Sequence, residues 1–158
     1  MVFGLRMSRI ASPLGRAFSL LKRVWHVNHA MQRMSNRMQH ELGVTGPQRL
    51  VIRCIGQHPG ITASELAEML HLDRASVSAA LSRIEVMRFV SRRADPEDGR
   101  RATLTLTASG RKIDRPTKHT IEATVEQVLD VTSPSDIEVA SRVLAALAAA
   151  LERQADRD

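Results

Sequence analysis

A single cysteine, Cys54, stands in a chain of 158 residues. That excludes an intrachain disulfide framework and fits a reducing, cytoplasmic setting. Cys54 lies in an apolar-patterned segment, which predicts a buried, inert thiol rather than a redox sensor. No run of about 18 apolar residues occurs, so no membrane-spanning helix is expected. There is no Gly-rich phosphate loop, no nucleophile elbow and no pair of carboxylates in a plausible pocket, and these absences argue against an enzyme. Six histidines are present, and His26 and His29 share a helix face. No His-x-x-x-His pair exists, and no carboxylate cluster accompanies them, so neither a metal nor a cofactor is expected.

Acid is also missing where it would matter. Residues 1–40 carry seven Lys/Arg and no Asp or Glu, and residues 88–112 carry seven bases against three acids. Residues 113–158 reverse the balance, with five bases and nine acids. The net charge of +6 is therefore concentrated in two places, and a concentrated basic surface attracts polyanions, nucleic acid first. The first thirty residues loosely mimic a transit peptide. The apolar pattern runs on into Met31, Met34 and Met38, however, so residues 1–11 are read as a basic arm and the rest as folded.

The hydrophobic content of 43% is enough for a real core. Ser12-Pro13 offers a helix start, and Leu14, Phe18, Leu21, Trp25, Met31, Met34, Met38 and Leu42 recur at roughly helical spacing up to Gly43. Thr45-Gly46-Pro47-Gln48 and Thr62-Ala63-Ser64-Glu65 are two capping boxes. The first opens a helix whose buried face is expected from Leu50, Val51, Cys54 and Ile55. The second opens a short helix that ends at the His71-Leu72 turn. Asp73 then caps a third helix with Val77, Leu81, Ile84 and Met87 on its inner stripe. Two short capped helices joined by a tight turn form a helix-turn-helix.

The outer face of the third helix carries Arg74, Ser76, Ser78, Ala79, Ser82 and Arg83. Small residues allow close backbone approach, while hydroxyls and guanidinium groups can bond base edges or phosphates. Phe89 to Arg93 reads as a strand, Asp95 to Gly99 as a turn and Ala102 to Leu106 as a returning strand, with Leu104 and Leu106 inward. A hairpin directly after a helix-turn-helix makes a winged helix. Arg93, Arg100 and Arg101 then belong to the DNA-contacting set, with Arg100 and Arg101 near the tip, while Asp95 and Asp98 hold the wing in shape.

Beyond the wing, Thr107 starts a helix expected to run to about Val131 with a kink at Pro116. Ser133-Pro134-Ser135-Asp136 starts the last helix, which carries Val143, Leu144, Leu147 and Leu151. The fold class is thus mainly α with a small β-hairpin wing, a winged helix-turn-helix with helical dimerisation regions at both chain ends. The divisions are a basic arm at 1–11, a dimerisation helix at 12–44, a DNA-binding lobe at 45–106 and C-terminal dimerisation helices at 107–158. An intramolecular bundle would bury the same end faces.

The stretch DPEDGRRATLTLTASG (residues 95–110), preceded by ITASELAEMLHLDRASVSAALSRIE, resembles the MarR (multiple antibiotic resistance regulator) family. The resemblance covers about residues 12–155. It implies a homodimeric transcription factor on a pseudo-palindromic operator, usually a repressor. It places the recognition helix at Asp73–Met87 and a minor-groove arginine at Arg100. Arg88 is a departure, because the family often has glycine at that place. Family members often bind a small aromatic or anionic effector. Trp25 and His29, with Arg49 and Arg53, offer stacking and charge for one. The same residues also read as a core tryptophan and a surface histidine. A non-specific architectural DNA-binding protein is the alternative function.

Overall fold

The computed structural model describes residues 15–94 and 101–155. The proposed basic arm, the Ser12-Pro13 helix start and the wing residues Asp95, Asp98 and Arg100 lie outside that set. The chain divides into two compact units between Arg115 and Pro116. The expected division at 106/107 falls earlier because the segment after the hairpin still packs on the first unit.

In the first unit, α1 (Gly15–Leu42) leads into α2 (Gly46–Gln57), α3 (Ala63–Leu70), α4 (Arg74–Val86), β1 (Val90–Ala94), β2 (Ala102–Leu106) and α5 (Ala108–Asp114). Each helix from α2 to α5 starts where a side chain satisfies an otherwise unpaired amide. Thr45 and Gln48 form one reciprocal capping box, and Thr62 and Glu65 form another. Asp73 caps α4, accepting from Ser76 N at 2.8 Å and Ser76 Oγ at 2.5 Å. Those two bonds, the hydroxyl's first, hold the Asp73 carboxyl below the usual range. Thr107 caps α5, accepting from Gly110 N at 3.0 Å.

The core is one cluster inside the first unit. Val51, Ile52 and Ile55 of α2, Leu66 of α3, Val77, Leu81 and Ile84 of α4, and Leu104 of β2 are all buried. Leu50 is half exposed, so the inward stripe of α2 runs through Ile52 and not Leu50 as expected. Cys54 is buried, and burial pushes its thiol up despite the nearby Arg53. That makes it a poor nucleophile, in keeping with the inert reading. Helix α1 is buried against the rest of this unit only near its end, where Ser35 and Met38 are buried and Gly46 N–H donates to Ser35 Oγ at 2.9 Å.

Strands β1 and β2 pair antiparallel, from Val90 opposite Leu106 to Ala94 opposite Ala102. A third element, Thr62, bridges Thr103 from the far side of β2. The wing is therefore stitched to the start of α3 as well as to its own partner strand.

Arg88 joins α4 to β1 with φ of 58°, in the left-handed region. Its carbonyl accepts from Thr107 Oγ1 at 2.6 Å, which fixes the bend. A Cβ is unfavourable in that conformation. Arg88→Gly is therefore expected to raise unfolding free energy by about 0.5–1 kcal/mol. A shift of the urea midpoint to higher concentration, with an unchanged slope, would register it.

The expected continuous helix from Thr107 to Val131 is absent, and Pro116 ends a helix instead of kinking one. Arg115 is extended, with φ −59° and ψ 144°, as a residue before proline prefers. In the second unit, α6 (Ile121–Leu129) starts at Thr120 and α7 (Pro134–Ala155) follows. Neither contains a buried hydrophobic residue, and Val125, Val128, Val143, Leu144 and Leu151 are exposed. No helix among the described residues is long and apolar enough to cross a membrane.

Candidate nucleic-acid interface

Helix α4 is two-faced. Val77, Leu81 and Ile84 are buried, whereas Arg74, Ser76, Ser78, Ala79, Ser82 and Arg83 are all exposed. With 3.6 residues per turn, Ser78, Ala79 and Ser82 fall along the middle of the outward strip, and Arg74 and Arg83 along its two edges. Neither arginine has an ion-pair partner among the described residues. The strip is thus smooth in the centre and cationic at the rims. The hydroxyls differ in availability. Ser76 is committed to the Asp73 cap, and Ser82 donates to Ser78 O at 2.9 Å. The Ser78 hydroxyl has no such tie among the described residues.

Between α3, α4 and β1 lies an open cleft lined by Ala63, Ser64, Arg74, Ser78, Leu81 and Arg92. Its two guanidinium-bearing residues beside the first turn of α3 suit an anion such as a phosphate. Arg92 is oriented by Glu85 of α4, with Nε donating to Oε1 at 2.9 Å. Arg93, one residue on, is exposed.

Arg101 does not project freely. Its Nη2 lies 3.2 Å from Glu65 Oε1. Glu65 Oε2 meanwhile accepts from Thr62 N and Thr62 Oγ1, each at 2.8 Å. These Thr62 bonds, more than the arginine, draw the Glu65 carboxyl below its ordinary range. Sequence reasoning missed Glu65 and Glu85 as partners of wing arginines. The capping-box pattern identifies Glu65, but it says nothing of what meets the second carboxylate oxygen.

The four residues suggested for an effector have different fates. Trp25 is 64% exposed on α1, ten residues before Ser35 and so about 15 Å of helix away from it. His29 is exposed on the same helix. Arg49 is 1% exposed, and its guanidinium donates to the carbonyls of Ile113 and, at 2.9 Å, Arg115. Arg53 bonds Asp114 O and, at 3.0 Å, Asp114 Oδ1. Both arginines thus cap the end of α5, so their guanidinium groups are engaged by that helix in this structure. Those terminal carbonyls have no helical partner of their own.

Comparison with known proteins agrees with this geometry. A profile of the MarR family matches residues 42–101. The transcriptional regulator HosA of Escherichia coli O111:H- is 37% identical over 97 residues, covering 60% of this chain and 72% of that protein. Streptococcus pneumoniae FabT, solved in complex with DNA, has a TM-score of 0.63 at 25% identity over 89% of this chain and 98% of that one. PcaV from Streptomyces coelicolor, a transcriptional regulator solved with its natural ligand, reaches a TM-score of 0.70 at 25% identity over 90% and 99%.

Proposed function

Because this chain belongs to the MarR family of transcriptional regulators, we propose that it works as a homodimeric repressor on a pseudo-palindromic operator. The observation that carries the reading is the outward strip of α4, small-residued in the centre, with an arginine on each edge that has no ion-pair partner among the described residues. That shape seats in a major groove, where Ser78, Ala79 and Ser82 approach base edges while Arg74 and Arg83 meet the phosphates on either wall. Arg93 adds a backbone contact, and Arg100 enters the adjacent minor groove. Asp95 and Asp98 shape the turn that presents it.

Pairing supplies the symmetry. The exposed apolar residues of α1, including Leu20, Val27 and Met31, and those of α6 and α7 support an interface between two copies. Two recognition helices related by a dyad read two half-sites about one helical turn apart.

Ala79→Glu tests the groove assignment. A carboxylate in the middle of the strip faces the phosphate field, so affinity for operator DNA is expected to fall by about 100-fold or more. Folding stability should change by no more than about 0.5 kcal/mol, since the site is exposed. Fluorescence anisotropy on a site selected from a random DNA pool measures the loss. A pool that returns no palindromic consensus would favour the architectural alternative, whose specific and non-specific affinities coincide.

A further inference from the structure

We propose that Glu65 and Arg101 form a latch that fixes the base of the wing against the start of α3, making Arg101 a positioning residue rather than a DNA contact. The inference rests on the DNA-binding reading above and deepens it. The carboxylate is already immobilised before the arginine arrives. Thr62 N and Oγ1 hold Glu65 Oε2, leaving Oε1 aimed at Arg101 Nη2 3.2 Å away. An ordinary exposed pair loses much of its benefit to ordering two long side chains. Here the helix cap has ordered one of them.

The strand on the other end is equally constrained. Arg101 immediately precedes β2, and Thr103 of β2 is bridged to Thr62, the very residue that holds Glu65. Leu104 N–H donates to Ile61 O at 2.9 Å, and Gly60 N–H donates to Leu104 O at 2.9 Å. Backbone bridging and side-chain pairing therefore run in parallel between one helix cap and one strand. Arg100 is the adjacent residue, so where β2 begins decides where the tip arginine can reach. An arginine held by a carboxylate also adds no net charge to the DNA face.

The test uses the full chain and two readouts. Arg101→Ala removes the cation. Glu65→Gln keeps an amide oxygen for Thr62 and removes only the charge. Without DNA, either substitution is expected to speed amide exchange across Ala102–Leu106 by about two- to fivefold, with the double variant no faster than the faster single. With selected operator DNA, both variants should bind more weakly by a similar factor, and the slope of log K against log salt should stay unchanged for Arg101→Ala. A slope reduced by about one unit would make Arg101 a phosphate contact and overturn the proposal. Tighter binding by Glu65→Gln, as a freed arginine would produce, overturns it as well. Unaltered exchange in both variants does the same, and that arm holds even if the wild-type chain binds no duplex, which would sink the DNA-binding reading instead.

Discussion

Gly110→Ala is expected to cost at least about 3 kcal/mol of stability, beyond what most single substitutions cost. Thr107 caps α5 and turns the chain so that Gly110 sits directly on the backbone of Phe89. A methyl group at Gly110 would overlap Phe89 O and lie 2.9 Å from Phe89 C and 3.3 Å from its Cα. The obstacle is main chain, locked on both sides. Thr107 N–H donates to Phe89 O at 3.0 Å, and Phe89 N–H donates to Ile84 O at 2.9 Å. Relief requires moving α5 off the wing or pulling β1 from α4. Thermal unfolding should show a midpoint depressed by roughly 10 °C or more, given a few degrees per kcal/mol for a domain of this size. A midpoint within about 2–3 °C of wild type, the shift that roughly one kcal/mol produces, would mean that the α5–Phe89 contact is loose.

Arg49→Met should cost a further large amount, about 3–5 kcal/mol. Methionine approximates the volume but donates nothing. The carbonyls of Ile113 and Arg115 then lose the charged donor that the buried Arg49 side chain supplies, and hydrogen bonds to charged groups are worth about 1.5–3 kcal/mol apiece. Arg53→Met should be milder, because the Arg53–Asp114 pair is about a quarter exposed on each side and water can substitute. Urea titration of both variants ranks them, and equal losses would contradict the burial argument. The larger effect should come with faster amide exchange along α5, since the lost bonds tie that helix to α2.

Local chemistry made much of this architecture readable in advance. The two capping boxes and the Asp73 cap depend on residues three apart, so their pattern marks α2, α3 and α4 directly. The Thr/Leu alternation placed β2 at Ala102–Leu106, as found. The outward strip of α4 follows from periodicity once the helix is placed. What escaped notice depends on partners far apart in the chain. Arg49 meets Ile113 across 64 positions, and Arg101 meets Glu65 across 36. Nothing local distinguishes such an arginine from one offered to a ligand or to DNA. Pro116 is ambiguous in the sequence for a different reason. A proline inside an apolar pattern permits either a kink or a stop, and the arginine clamp on the preceding carbonyls favours the stop. Arg88 departs from the glycine common at that place in the family, and its φ of 58° lies in the left-handed region.

Among the described residues, the buried hydrophobic side chains are confined to the span from Met38 to Leu104, with a consequence for biogenesis. A chain emerging from the ribosome has its hydrophobic interior outside before the helices beyond Pro116 emerge, and domains generally fold as units during synthesis. Each newborn molecule thus carries a finished reading head and sticky, unsheathed tails. On the dimer reading proposed above, pairing is left to diffusion between finished chains, so its extent would follow mass action. The number of copies in the cell would then set the fraction able to span both proposed half-sites, and the dose response would steepen accordingly.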